Sequence, residues 1–128
     1  MGSAADRHEP DVHMLYQQGR QRLERGNPRG AAEVLELAVE HEPEQASLHE
    51  TLGRAYFATA RPRLARGAFQ RAVALDPSDS YAHFGIGRCF EQEGHLAEAI
   101  KHYKLACALS DRPDYHRALA RARQRLEG

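Results

Sequence analysis

The stretch LGRAYF, residues 52–57, lies between flanks that read as helix, and it carries a glycine at position 53. Glycine in a helix interior costs about 1 kcal/mol relative to alanine, so something requires a residue without a side chain there. The Gly53-Arg54 pair recurs as Gly19-Arg20 and as Gly87-Arg88, 34 residues away on either side. An unfavourable feature repeated at a fixed step points to a repeating architecture, and that possibility governs every later reading of the chain.

Other columns keep the same step of 34: Ala31, Ala65 and Ala99; Leu35, Phe69 and Tyr103; Ala38, Ala72 and Ala106; and Pro43 with Pro77. Each unit divides into two helical halves. In the third, SYAHFGIGRCFEQ is followed by a break at Glu93-Gly94 and then by HLAEAIKHYKLACALS. In that second half Leu96, Ala99, Ile100, Tyr103, Ala106 and Cys107 form one apolar helical stripe. Breaks also fall at Gly26-Asn27-Pro28 and Ala60-Arg61-Pro62, where Pro28 and Pro62 suit the first turn of the next helix. The links His41-Glu42-Pro43-Glu44 and Asp76-Pro77-Ser78-Asp79 end helices, because proline disfavours the helical conformation at the residue before it. Strand-type alternation is absent.

The tail reads as a seventh helix. Pro113 suits its first turn, and Asp114 suits the positive end of the helix dipole. Tyr115, Ala118, Leu119, Ala122 and Leu126 form a narrow apolar stripe, with arginines and Gln124 around the rest. Such a helix covers the bare apolar face that a stack of helix pairs leaves at its end. A basic helix that docks on a partner is the competing reading.

These residues resemble the tetratricopeptide repeat (TPR) family, whose 34-residue pattern runs W-x2-L-G-x2-Y, A-x3-F, A, P. The second unit, 46–79, has Leu52-Gly53-x2-Tyr56, Ala65-x3-Phe69, Ala72 and Pro77. The third, 80–113, has Ile86-Gly87-x2-Phe90, Ala99-x3-Tyr103 and Ala106, and the first, 12–45, has Leu15, Gly19, Ala31, Leu35, Ala38 and Pro43. His49 and His83 occupy the Trp column, Gln18 and Arg22 replace Leu and Tyr in the first unit, and Asp111 stands where the third unit's Pro is expected.

The resemblance implies an all-α, right-handed TPR superhelix of seven helices. It would form a single domain over 11–127, with a capping helix at 113–127 and a disordered tail at 1–10. It also implies a packing role for Gly19, Gly53 and Gly87 with Ala31, Ala65 and Ala99. In such a fold Gly53 faces Phe69 or Ala65, and Tyr103 takes the place of Phe69 in the third unit.

In TPR proteins the first helices of successive units line a concave groove that takes a peptide or partner segment. A residue one step past the buried glycine column turns about 100° around the helix, which carries Arg20, Arg54 and Arg88 towards that groove. Tyr16, Glu50 and Phe84, four residues earlier, share the face, and His13, Ser47 and Tyr81 lie further along it. Arginine binds carboxylates in a planar fork, so the expected partner is a protein or peptide with acidic character. The competing reading leaves the arginines solvated or paired with Glu24, Glu50 and Glu91. One TPR subfamily holds chaperone C-termini in a clamp of Lys and Asn side chains. This chain has Tyr16, Arg20, Thr51, Tyr81 and Gly85 at those places, so chaperone binding is not expected.

Composition narrows the remaining classes. The 128 residues carry 18 basic and 18 acidic side chains, which argues against a surface that coats nucleic acid or membrane. The charge is uneven: residues 1–60 hold six basic and ten acidic groups, and residues 61–128 hold twelve and eight. That dipole supports a second expectation, a self-assembly module that joins copies through the acidic first unit and the basic capping helix. No apolar run approaches the ~18 residues of a membrane span, and no targeting segment is evident, so a cytoplasmic protein is expected. Cys89 and Cys107 fall at small apolar positions and read as reduced core thiols. His49 and His83 share a column because of repeat geometry, with His102 elsewhere on the third unit. No paired-ligand spacing supports a metal or other cofactor, and no nucleophile, phosphate-loop or dinucleotide pattern supports an enzyme.

Overall fold

The computed structural model describes residues 10–128. Apart from Pro10, the expected tail at 1–10 lies outside the described residues. Seven helices make up these residues: α1 (Val12–Glu24), α2 (Pro28–His41), α3 (Ala46–Ala58), α4 (Pro62–Leu75), α5 (Ser80–Gln92), α6 (Leu96–Leu109) and α7 (Pro113–Glu127). They pair in sequence as α1 with α2, α3 with α4 and α5 with α6, each pair stacks on the next, and α7 closes on α6.

Local chemistry sets the boundaries. Asp11 and Asp79 cap α1 and α5, their carboxylates accepting from Met14 N–H at 3.3 Å and Ala82 N–H at 3.0 Å. Asn27 caps α2 in the same way, through Gly30 N–H at 3.0 Å. Pro28, Pro62 and Pro113 each occupy a first turn. The turn inside every pair needs one left-handed residue, supplied by Gly26 (φ 77°), Ala60 (φ 60°) and Gly94 (φ 82°). These three are one repeat apart, and Ala60 alone among them carries a Cβ into that conformation.

Packing inside each pair explains the repeated glycine. A Cβ on Gly19 would stand 2.6 Å from Leu35 Cγ, one on Gly53 2.8 Å from the Phe69 ring, and one on Gly87 2.6 Å from the Tyr103 ring. Leu35, Phe69 and Tyr103 are buried, and Ala31, Ala65 and Ala99 are fully enclosed beside them. A further glycine, Gly85, approaches Phe69 from the next repeat, with a would-be Cβ 2.6 Å from its ring. Phe69 thus joins the second and third repeats as well as α3 and α4.

Pro43 and Pro77 also act across the repeat links. His49 Nε2 lies 2.7 Å from the Pro43 carbonyl oxygen, and His83 Nε2 lies 3.2 Å from that of Pro77. The two histidines in the Trp column therefore tie each link to the helix that follows it.

The capping helix buries Tyr115, Ala118, Leu119 and Ala122 against the third repeat. Leu126 departs from the expected stripe: it is 55% exposed and lies outside the buried cluster that α7 forms with the third repeat. The polar back of α7 is partly committed as well. Buried Glu91 accepts from Arg121 Nε and Nη2 at 3.0 and 2.8 Å, from Arg125 Nη1 at 2.8 Å and from the Tyr103 hydroxyl at 2.7 Å. The Arg121 hydrogen bonds, joined by those of Tyr103 and Arg125, overcome desolvation and hold the Glu91 carboxyl down at about 2. Cys89 is fully buried, and burial pushes its thiol up to about 12. Cys107 sits half-buried at the edge of the cap contact, so only one of the two thiols is a core residue.

Candidate functional site

Three helices, α1, α3 and α5, bound a cavity of about 470 Å³. Arg54, Tyr81 and Arg88 line it, as expected from their register. Leu23, Glu24, Phe57, Ala58 and Gly85 complete the wall, with the buried Phe69 ring behind them. His13, Tyr16 and Ser47 meet in a second cleft of about 270 Å³ with Val12, Glu42, Gln45 and Leu48. Arg20 lies between these two regions, on a shallow surface with Gln17, Gln21 and Glu24.

The arginines share one arrangement. The guanidinium carbon of Arg20 lies 5.7 Å from the Tyr16 ring centre, and that of Arg54 lies 5.7 Å from Tyr81. Arg88 lies 4.1 Å from the Phe57 ring centre and 5.5 Å from Phe84. Such stacking holds a guanidinium over an aromatic face while its N–H edge remains available. None of the three arginines forms an ion pair within 4.0 Å among the described residues. Glu91, one carboxylate expected to pair with this ladder, is taken instead by Arg121 and Arg125 of the cap.

Glu50 is half-buried on α3, with Asp79, Arg54 and Arg20 near enough to act on its charge. Burial, reinforced by the Asp79 carboxylate, pushes the Glu50 carboxyl up to about 7, against the pull of Arg54 and Arg20. The face is therefore positive when Glu50 holds a proton and more nearly balanced when it does not.

Phe84 corrects the expectation drawn from register. It is buried, with its ring centre 4.8 Å from Tyr115 and 5.7 Å from Tyr103. The capping helix covers the α5 face that the earlier repeats leave open, so Phe84 belongs to the cap contact rather than to a free groove wall. Phe57, like Leu23, Ala58 and Gly85, is a wall residue that register alone does not supply. It stands one helical turn beyond Arg54 and two beyond Glu50, in the column of Leu23 and Glu91, where no shared residue type marks it.

His102 packs beside His83. Its ring stacks on His83 at 6.1 Å and on Phe90 at 5.7 Å. Burial, with His83 and Lys101 nearby, lowers its proton affinity. No group of three or more His, Cys, Asp or Glu side chains suited to a metal ion occurs among the described residues. No helix among them is long and apolar enough to cross a membrane.

Comparison with known proteins gives the same architecture. The tetratricopeptide repeat pattern matches residues 16–62 and 50–113. Mouse superkiller complex protein 3 is 29% identical over 97 residues, which are 76% of this chain and 6% of that protein's length. The chain thus spans only a small part of that relative. Among solved structures, the first TPR of Spaghetti (RPAP3) bound to an HSP90 peptide, SRMEEVD, superposes with a TM-score of 0.88. It is 22% identical, over 91% of this chain and 94% of that one. The Yersinia enterocolitica type III secretion chaperone SycD, in complex with a peptide of the translocator YopD, superposes at 0.78. It is also 22% identical, over 93% and 92% of the two chains. At these identities the superpositions establish the fold, an all-α TPR superhelix, and the matched repeats establish the membership: this chain belongs to the tetratricopeptide repeat family.

Proposed function

We propose that the chain is a non-catalytic interaction module whose concave face takes an extended peptide or partner segment with acidic side chains. The observation that carries this reading is the state of Arg20, Arg54 and Arg88. All three lie over aromatic rings, and none is paired with a carboxylate among the described residues. A carboxylate that approaches the N–H edge of a stacked guanidinium meets donors already held in place, so little ordering entropy opposes the contact. The cavity beside Arg54 and Arg88 adds apolar wall from Leu23, Phe57 and Tyr81 for the rest of such a segment. Two superposable TPR structures hold peptides, and the peptide SRMEEVD in one of them carries acidic residues.

The test is a titration of fluorescent acidic peptides, and of the same peptides with amides replacing the acids, against wild type and an Arg54→Glu, Arg88→Glu variant. The acidic peptides should bind wild type, with a loss on the order of tenfold or more on either change. Equal affinity for acid and amide peptides, or for the two proteins, would overturn the reading.

A further inference from the structure

The outer face of the array changes character along its length. At equivalent repeat positions α2 carries Glu33, Glu36 and Leu37, α4 carries Gly67, Gln70 and Arg71, and α6 carries Lys101, Lys104 and Leu105. Leu37 and Leu105 stand in the same column and are 38% and 41% exposed. One leucine is surrounded by glutamates, since Glu40 follows it one turn on, and the other by lysines. Lys101 and Lys104 are the chain's only two lysines. A concavity of about 400 Å³ surrounds Leu105, with Ala97 and Ile100 in its wall. The middle repeat, with no leucine in that column, separates the two faces.

We infer that these faces recognise each other between copies: the acidic, leucine-centred face of α2 docks on the basic, leucine-centred face of α6 of a second molecule. The two patches match in their apolar centre and oppose in their charged surround, which sets both affinity and orientation. Every molecule carries both faces, so the contact is heterologous, and successive copies form a chain or a closed ring. The contact does not involve the groove arginines and stands independently of the peptide-binding reading. It also differs from end-to-end joining through α7, whose Arg121 and Arg125 are already engaged with Glu91.

Sedimentation velocity on the full chain, over a range of concentrations, tests the inference. Wild type should associate as concentration rises, and the association should weaken at about 1 M salt, where screening acts over ~3 Å. Glu33→Lys with Glu40→Lys should abolish it, and so should Lys101→Glu with Lys104→Glu. Glu36 is left unchanged because its carboxylate accepts the Tyr56 hydroxyl. Mixing the two variants should restore association, since each reversed face meets a complementary one. Arg54→Glu should assemble as wild type does. A wild type that stays monomeric throughout would overturn the inference. So would association that survives either reversal, a mixture that stays dissociated, or loss of assembly in Arg54→Glu.

Discussion

The guanidinium carbon of Arg88, on α5, lies over the ring of Phe57, on α3, 4.1 Å from its centre. The contact bridges two repeats and sits at the meeting point of the main cavity and the cap network. Removal of the ring frees Arg88 to move. Phe57→Ala should therefore weaken acidic-peptide binding by about 0.5–2 kcal/mol, the range of such stacking. The loss should be smaller against peptides whose acids have been neutralised. Isothermal titration of both peptide types provides the comparison.

Glu50 should make stability and binding depend on pH. Its usual value is 4.5, and in the fold it stands at about 7. Between those values the folded chain holds a proton that the unfolded chain releases. The contribution of this group to stability therefore falls as pH rises from about 4.5 to about 7, and it is level above that. Glu50→Gln should remove the slope and melt higher than wild type above the upper value. It should also bind acidic peptides more tightly there, because the face no longer gains a negative charge. Thermal melts and peptide titrations over a pH series would read both effects.

Gly85 offers a sharper test of packing than Gly53. A methyl group there would stand 2.6 Å from the Phe69 ring, and Gly53 closes off the direction in which the ring could retreat. Gly85→Ala gains about 1 kcal/mol of helix propensity but should lose about 1–3 kcal/mol through overpacking. Urea denaturation should show net destabilisation. In a Phe69→Leu background the penalty of Gly85→Ala should shrink.

Ala60 offers the opposite change. Its left-handed φ of 60° suits glycine, which Gly26 and Gly94 supply in the same column. An L-residue there bears about 1–2 kcal/mol of strain, and glycine restores some of that as unfolded-chain entropy. Ala60→Gly should be net stabilising by up to about 1 kcal/mol, seen as a higher melting temperature.

The fold was legible because its determinants are periodic. Gly53 opposite Phe69, Ala65 beside them and the breaks at Gly26, Ala60 and Gly94 all recur at one step, and repetition marks them as structural. The parts that escaped belong to single repeats. Gly85 shares its column with Gln17 and Thr51, so nothing flagged its contact with the preceding repeat. Phe84 keeps the groove register of Tyr16 and Glu50, yet the capping helix covers it, and no sequence spacing reports what a later helix will cover. Glu91 read as a possible partner for the groove arginines, whereas two cap arginines and Tyr103 converge on it. In the candidate site, register placed Arg54, Tyr81 and Arg88 together, whereas Phe57 emerged only from the geometry.

The Glu91 network also bears on copy number. Solenoids are often imagined as beads that evolution can add or drop. In this chain the last bead and the cap recognise each other by a key of two residues, Glu91 and Tyr103. The second repeat holds Phe57 and Phe69 at the same positions, neither of which accepts a guanidinium hydrogen bond. Excision of residues 80–113 would restore the helix register and still leave Arg121 and Arg125 facing two hydrocarbon rings. The length of this array is therefore written into its cap, and a change in repeat number requires rewriting of both sides of that joint.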